Sequence, residues 1–156
     1  MTRIWITNGT PTMPGLLNPV TAACDNGYVP DEARILSNPG VADSVAAASE
    51  MFETIIEAYG GDATVSKHSL ETETDFRGII QFYQSTIEAA RENGDTIAVD
   101  VTPGRKFMSA IAFQAGFRFG ADHVYYFYRK SGAYYGDLYA EIPRTATELI
   151  DFTEVM

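Results

Sequence analysis

The sequence predicts a three-layer α/β fold with a mostly parallel sheet and a C-terminal antiparallel hairpin, and three observations carry that expectation. Short β-rich runs alternate four times with longer stretches whose apolar residues recur at helical spacing. The run TIAVDV, Thr96 to Val101, is mostly apolar, as expected of a strand covered on both faces of a parallel sheet. After the fourth helical stretch two β-rich runs follow each other with only the turn Lys130-Ser131-Gly132-Ala133 between them, which points to an antiparallel pair.

In chain order, Arg3 to Thr7 reads as the first strand, and Asn8-Gly9-Thr10-Pro11 as the loop leaving its carboxyl end. Pro14 to Cys24 reads either as a short helix or as a lid-like loop, because three prolines and two glycines fall between Gly9 and Pro19. Ala33 to Ser37 is a second strand, closed by Asn38-Pro39-Gly40. Val41 to Tyr59 is a helix with Val45, Ala48, Phe52, Ile55, Ile56 and Tyr59 on one side and Gly60-Gly61 as its stop. Ala63 to Lys67 forms a third, weaker strand. The next helix begins near Thr74, whose hydroxyl would cap it, and ends at Asn93-Gly94. Strand four, Thr96 to Val101, leads into a helix from Arg105 to Phe119. His123 to Arg129 is the fifth strand, Tyr135 to Ile142 its hairpin partner, and Thr145 to Phe152 a closing short helix. The outline is Rossmann-like, a single domain over residues 1–156.

Composition narrows the class. The chain is 46% hydrophobic, long enough for a substantial core, and without an apolar run approaching the roughly 18 residues that span a membrane. The first residues, MTRIWITNGT, lack the charged head and apolar body of a signal peptide, so a cytoplasmic protein is expected. Cys24 stands alone, too isolated for a disulfide or a cysteine metal site, and no metal or cofactor is called for. The formal charge is −10, and the eleven basic residues include only three lysines, Lys67, Lys106 and Lys130. A surface so acidic and lysine-poor suggests a salt-loving, halophilic source. It also argues against binding duplex nucleic acid, which requires a broad basic face.

The stretch Asp95 to Ala110, DTIAVDVTPGRKFMSA, is the most informative chemically. A buried strand breaks at Pro103-Gly104 and gives way to a helix whose first turn carries Arg105 and Lys106. Free backbone N–H groups and the positive end of the helix dipole favour a phosphate there, and two basic side chains add to that field. The edge is the one where open α/β sheets bind ligands. The stretch is not a Walker A loop, since Phe107 rather than a hydroxyl follows Lys106, and no G-x-G-x-x-G follows any strand.

Residues Asp100-Val-Thr-Pro-Gly-Arg-Lys-Phe-Met-Ser109 resemble the second signature of CARF domains, the CRISPR-associated Rossmann-fold sensors. There a strand ending in Asp or Asn runs into Thr-Gly-Gly-Thr-Lys and an apolar helix. Thr102, Gly104, Lys106 and Met108 match; Pro103 replaces a usual glycine, removing a backbone donor, and Arg105 a frequent threonine. The resemblance implies a homodimer that binds a cyclic oligoadenylate second messenger across its twofold axis, as a sensor or as a ring nuclease that cuts the messenger. It implies ligand-binding roles for Asp100, Thr102, Pro103, Gly104, Arg105, Lys106 and Met108, and, from the loop after the first strand, for Asn8, Gly9, Thr10 and Thr12. For cleavage, Lys106 and Arg105 would stabilise charge on the phosphoryl oxygens and Thr10 would orient the ribose, without a metal.

Two other classes remain open: an unrelated Rossmann-like enzyme of nucleotide or phosphate metabolism, and a non-catalytic module acting through an effector protein. The Arg118–His123 spacing resembles the ribonuclease motif of HEPN domains, but that motif belongs to an all-helical domain. His68 reads as a solvated surface histidine, and Glu71, Glu73 and Asp75 as decoration of a loop and helix start. The tyrosines between Tyr125 and Tyr139 divide into core residues and an outer set suited to a surface covered by a partner.

Overall fold

The computed structural model describes residues 1–156 and contains one six-stranded sheet. Its strands are β1 (Arg3–Asn8), β2 (Glu32–Ser37), β3 (Thr64–Ser69), β4 (Thr96–Asp100), β5 (His123–Arg129) and β6 (Thr147–Asp151). Four helices connect the first five: α1 (Met13–Asp25), α2 (Ala42–Ala58), α3 (Phe76–Glu92) and α4 (Lys106–Phe119). The spatial order is β3-β2-β1-β4-β5-β6, parallel throughout except for β5 with β6. The molecule is the expected three-layer, Rossmann-like α/β fold, and no helix is long and apolar enough to cross a membrane.

Strand alternation divides the core between the two faces. Ile4 and Ile6 of β1, with Ile97 and Val99 of β4, pack against Ile79, Tyr83 and Ile87 of α3 and Ala112 of α4. Trp5 points the other way, into a cluster built by Leu16 and Val20 of α1 and Val45 and Phe52 of α2. Trp5 is fully buried, and its register partners on both sides are alanines, Ala33 on β2 and Ala98 on β4. Two methyl groups where larger side chains would stand leave the volume that the indole fills, and the ring stacks on Tyr125 at 5.9 Å between centroids.

The ambiguous segment after β1 is a helix. Pro14 lies in its first turn, where no intrahelical N–H is lost, and the burial of Leu16, Leu17, Val20 and Ala23 outweighs the bond missing at Pro19. The cap of α3 is Asp75 rather than Thr74: the carboxylate accepts from Gly78 N at 2.9 Å, while the Thr74 hydroxyl pairs with that of Thr72.

The C-terminal elements differ from the sequence-based expectation. The antiparallel pair exists, but it is not a tight hairpin: Tyr135 to Ile142 is no strand, and the segment expected as a closing helix contains strand β6. Between β5 and β6 the chain leaves the sheet in a strap with 3-10 turns at Gly132–Tyr134, Tyr139–Glu141 and Arg144–Ala146. The cause lies on α1. Buried Asn18 donates to Asp137 O at 2.9 Å and accepts from Tyr139 N at 2.8 Å. The Tyr139 hydroxyl donates to Asp25, which also pairs with Arg144. With the strap held there, β6 aligns on β5 and Asp151 accepts from His123 Nδ1 at 2.7 Å and Val124 N at 3.2 Å.

Ala98→Val places extra volume against Trp5 in a filled layer. We expect a loss of about 1–3 kcal/mol in denaturant unfolding, with the midpoint lowered and the slope unchanged. An unshifted midpoint would contradict the packing described for Trp5.

Candidate functional site

Strands β1 and β4 are adjacent and parallel, yet the chain leaves them in opposite directions, from β1 toward β2 and from β4 toward β5. Their loops therefore part at the carboxyl edge and open a crevice at the topological switch point. Helices α1 and α4 both start there, so the free N–H groups of two first turns face the same region. In α4 the first backbone bond of the helix is made by Ser109 N to Arg105 O, which leaves Lys106, Phe107 and Met108 with the free donors.

Buried polar side chains clasp the two loops from below. Asp100, fully buried, accepts from the Thr7 hydroxyl at 2.9 Å and from Thr102 N at 3.0 Å. The Thr102 hydroxyl accepts from Phe127 N at 2.9 Å, tying β4 to β5. Asn8, also fully buried, accepts from the Tyr83 hydroxyl at 2.7 Å and donates to Pro103 O at 3.4 Å. Ser109 donates to the same carbonyl at 3.3 Å. Asn8 and Asp100 thus face inward and shape the loops, rather than presenting their polar groups to the crevice.

Both loop glycines meet a structural need. A Cβ on Gly9 would stand 2.7 Å from Val45 Cγ2 and 2.8 Å from Leu36 O, so the bare backbone lets the β1 loop close against β2 and α2. Gly104 has φ +99° and sits against the Asn8 side chain, a conformation that side-chain-bearing residues rarely adopt. Pro103 is buried and Met108 packs into the core beneath α4.

The exposed positions are Thr12, Arg105 and Lys106, with Thr10 half-buried. Lys106 makes no ion pair. Arg105, at the N-cap of α4, lies 3.2 Å from Glu73, and an exposed pair of this kind contributes little, so the guanidinium is easily recruited elsewhere. Two clefts flank the loops and share Thr10 and Gly104. One, of about 280 Å3, includes Gly9, Asn38, Arg105 and Met108 in its wall; the other, of about 330 Å3, includes Thr12, Thr102, Pro103, Arg129 and Tyr135. The loops expected to cooperate are therefore brought together. Sequence reasoning did not reach Arg129 or assign Tyr135 a place, because the strap that carries Tyr135 has no motif and is positioned by distant Asn18. His123 is held by Asp151 at the far end of β5, away from the crevice, and His68 stacks on Phe82.

Burial pushes the Asp100 carboxyl up to about 7, against the lowering effect of its hydrogen bonds from Thr102 and Thr7. The folded value lies above the unfolded 3.8, so the stability gained by the neutral form is complete below about 3.8 and is lost as pH rises through 7. Asp100→Asn keeps an acceptor for Thr102 N and removes the titration. Thermal unfolding at pH 5 and pH 8 should show a wild-type loss, on the order of a few kcal/mol, that the variant largely lacks. Parallel pH profiles for the two proteins would refute this role of Asp100.

Comparison with known proteins adds three findings. The model of the family described as CRISPR-associated protein NE0113 matches residues 28–138. No curated protein matches the chain. Among solved structures, the fold is similar to that of a type III CRISPR defence DNA nuclease activated by cyclic oligoadenylate, with TM-score 0.62, 17% identity, and coverage of 83% of this chain and 19% of that one. It is similar to Enterococcus italicus Csm6 bound to cyclic hexa-2′-fluoro-hexa-dAMP, with TM-score 0.63, 15% identity, and coverage of 96% and 41%. It is also similar to Can2 from Sulfobacillus thermosulfidooxidans in complex with cyclic tetra-adenylate, with TM-score 0.53, 14% identity, and coverage of 80% and 31%. The chain thus matches between 19% and 41% of the lengths of these proteins, and at such identities the likeness is one of fold.

Proposed function

The chain belongs to the family of CRISPR-associated protein NE0113 and carries a CARF-like domain, and from that premise we propose that it binds a cyclic oligoadenylate at the carboxyl edge of its sheet, between two copies of itself. The observation that carries the reading is the convergence of two helix N-termini and two clefts on the loops after β1 and β4. A phosphate backbone lying along that crest meets the free N–H groups of α4, unpaired Lys106, and Arg105 once it turns from Glu73. Thr10 and Thr12 offer hydroxyls to the ribose from the other loop. The apolar groove between α3 and α4, with Ile80, Ile111 and Phe119 in its wall, is a surface that a second copy would cover.

Two outcomes of binding fit this geometry. As a sensor, the dimer passes the binding event to an effector protein. As a ring nuclease, it aligns a ribose 2′-hydroxyl with the adjacent phosphate while Lys106 and Arg105 stabilise the phosphoryl oxygens and Thr10 holds the ribose.

Titration calorimetry with cyclic tetra- and hexa-adenylate, in high salt suited to the acidic surface, tests the reading, with chromatography of the products. Binding with linear products means a ring nuclease, and binding without them a sensor. Lys106→Ala should weaken binding by about 1.5–3 kcal/mol, the range of a charge-assisted hydrogen bond. Absence of binding to either ring would leave a mononucleotide enzyme as the better reading.

A further inference from the structure

The cleft of about 330 Å3 between the start of α1 and the end of β5 lies within the usual range of small-molecule sites, roughly 300–1,000 Å3. Fifteen residues line it and none is acidic, although the chain carries 21 Asp and Glu. Its only charged side chain is Arg129. That guanidinium has no carboxylate partner and sits 4.9 Å from the centroid of the Tyr135 ring. Tyr135 is 73% exposed, so the side chain remains largely accessible beside the guanidinium. The hydroxyls of Thr10 and Thr12, also in the wall, make no hydrogen bond within the protein.

Such a wall repels no anion and offers a flat aromatic surface. In a protein of charge −10, an arginine without a carboxylate is an attraction for a phosphate within this wall. A cation over one face of a tyrosine leaves the opposite face free for a nucleobase, and stacking of this kind tolerates any base. The strap that carries Tyr135 is already pinned to α1 through Asn18, so little ordering has to accompany binding.

We propose that this cleft is a nucleobase subsite, in which a base stacks on the exposed ring of Tyr135 while Arg129 takes the adjoining phosphate. The inference rests on the reading above for the ligand being a nucleotide. It adds a wall from the β5–β6 strap to a site otherwise built from the loops after β1 and β4.

Amide NMR of the labelled full chain with adenosine 5′-monophosphate tests it, with ribose 5-phosphate as the baseless probe. The monophosphate should shift the amides of Gly136, Arg129 and Thr12, and ribose 5-phosphate should leave Gly136 unmoved. Tyr135→Ala, at an exposed position, should abolish those shifts and weaken cyclic tetra-adenylate binding about tenfold, while Tyr135→Phe keeps both. Arg129→Gln should weaken both probes. The subsite is overturned if the monophosphate leaves the three amides unmoved, or if Tyr135→Ala binds like the wild type. A wild type that binds no ring, but whose Gly136 amide still responds to the monophosphate in a Tyr135-dependent way, supports the subsite and removes the cyclic oligoadenylate reading.

Discussion

The carboxyl ends of β1 and β4 are joined through Thr7, Asn8 and Asp100, all fully buried, and through half-buried Thr102, and the shape of the crevice follows from that clasp. Thr7 donates to Asp100, Asp100 accepts Thr102 N, and the Thr102 hydroxyl accepts from β5. On the other side Asn8 links the Tyr83 hydroxyl of α3 to the carbonyl of Pro103. A buried polar group without a partner is costly, so each member holds the others in place. The two loops accordingly leave the sheet along defined paths, and Gly9 and Gly104 permit the approaches those paths require.

Above this clasp the electrostatics are local. The molecule as a whole is strongly acidic, which suits solubility and opposes a nucleic acid duplex. At the crest the field changes character, because α1 and α4 start there, Lys106 stands unpaired, and Arg105 is bound only by an exposed contact with Glu73. Basic residues here act over a short range, which favours a compact polyanion seated on the loops over a long one lying across the surface.

The excursion between β5 and β6 enlarges the edge. A tight hairpin would have ended the sheet beside the crevice, whereas the strap folds back on α1 and brings Tyr135 next to Arg129. Asn18 makes this possible from the middle of a helix whose other inward residues are apolar. One carboxamide there replaces two hydrogen bonds that the strap backbone would otherwise have made with water.

Much of this was determined by sequence alone. The alternation of β-rich and helical runs defined the parallel sheet, and Thr-Pro-Gly-Arg-Lys marked the turn at its ligand edge, because periodicity and turn chemistry are local properties. Thr10 and Gly104 lie between two neighbouring clefts, with Thr102 in the wall of one and Arg105 in the wall of the other. Tertiary structure decided the rest. Asn8 and Asp100 looked like ligand groups, but strand register turned them inward toward partners 75 and 93 residues away in the chain. Residues 130–133 read as a hairpin turn and 135–142 as a strand, but Asn18 holds the backbone of this segment and Asp25 its Tyr139 side chain against α1. Thr145 to Phe152 read as a short helix, but the free edge of β5 and the acceptor Asp151 draw Thr147–Asp151 into a strand, a pairing that no local signal in TELID announces.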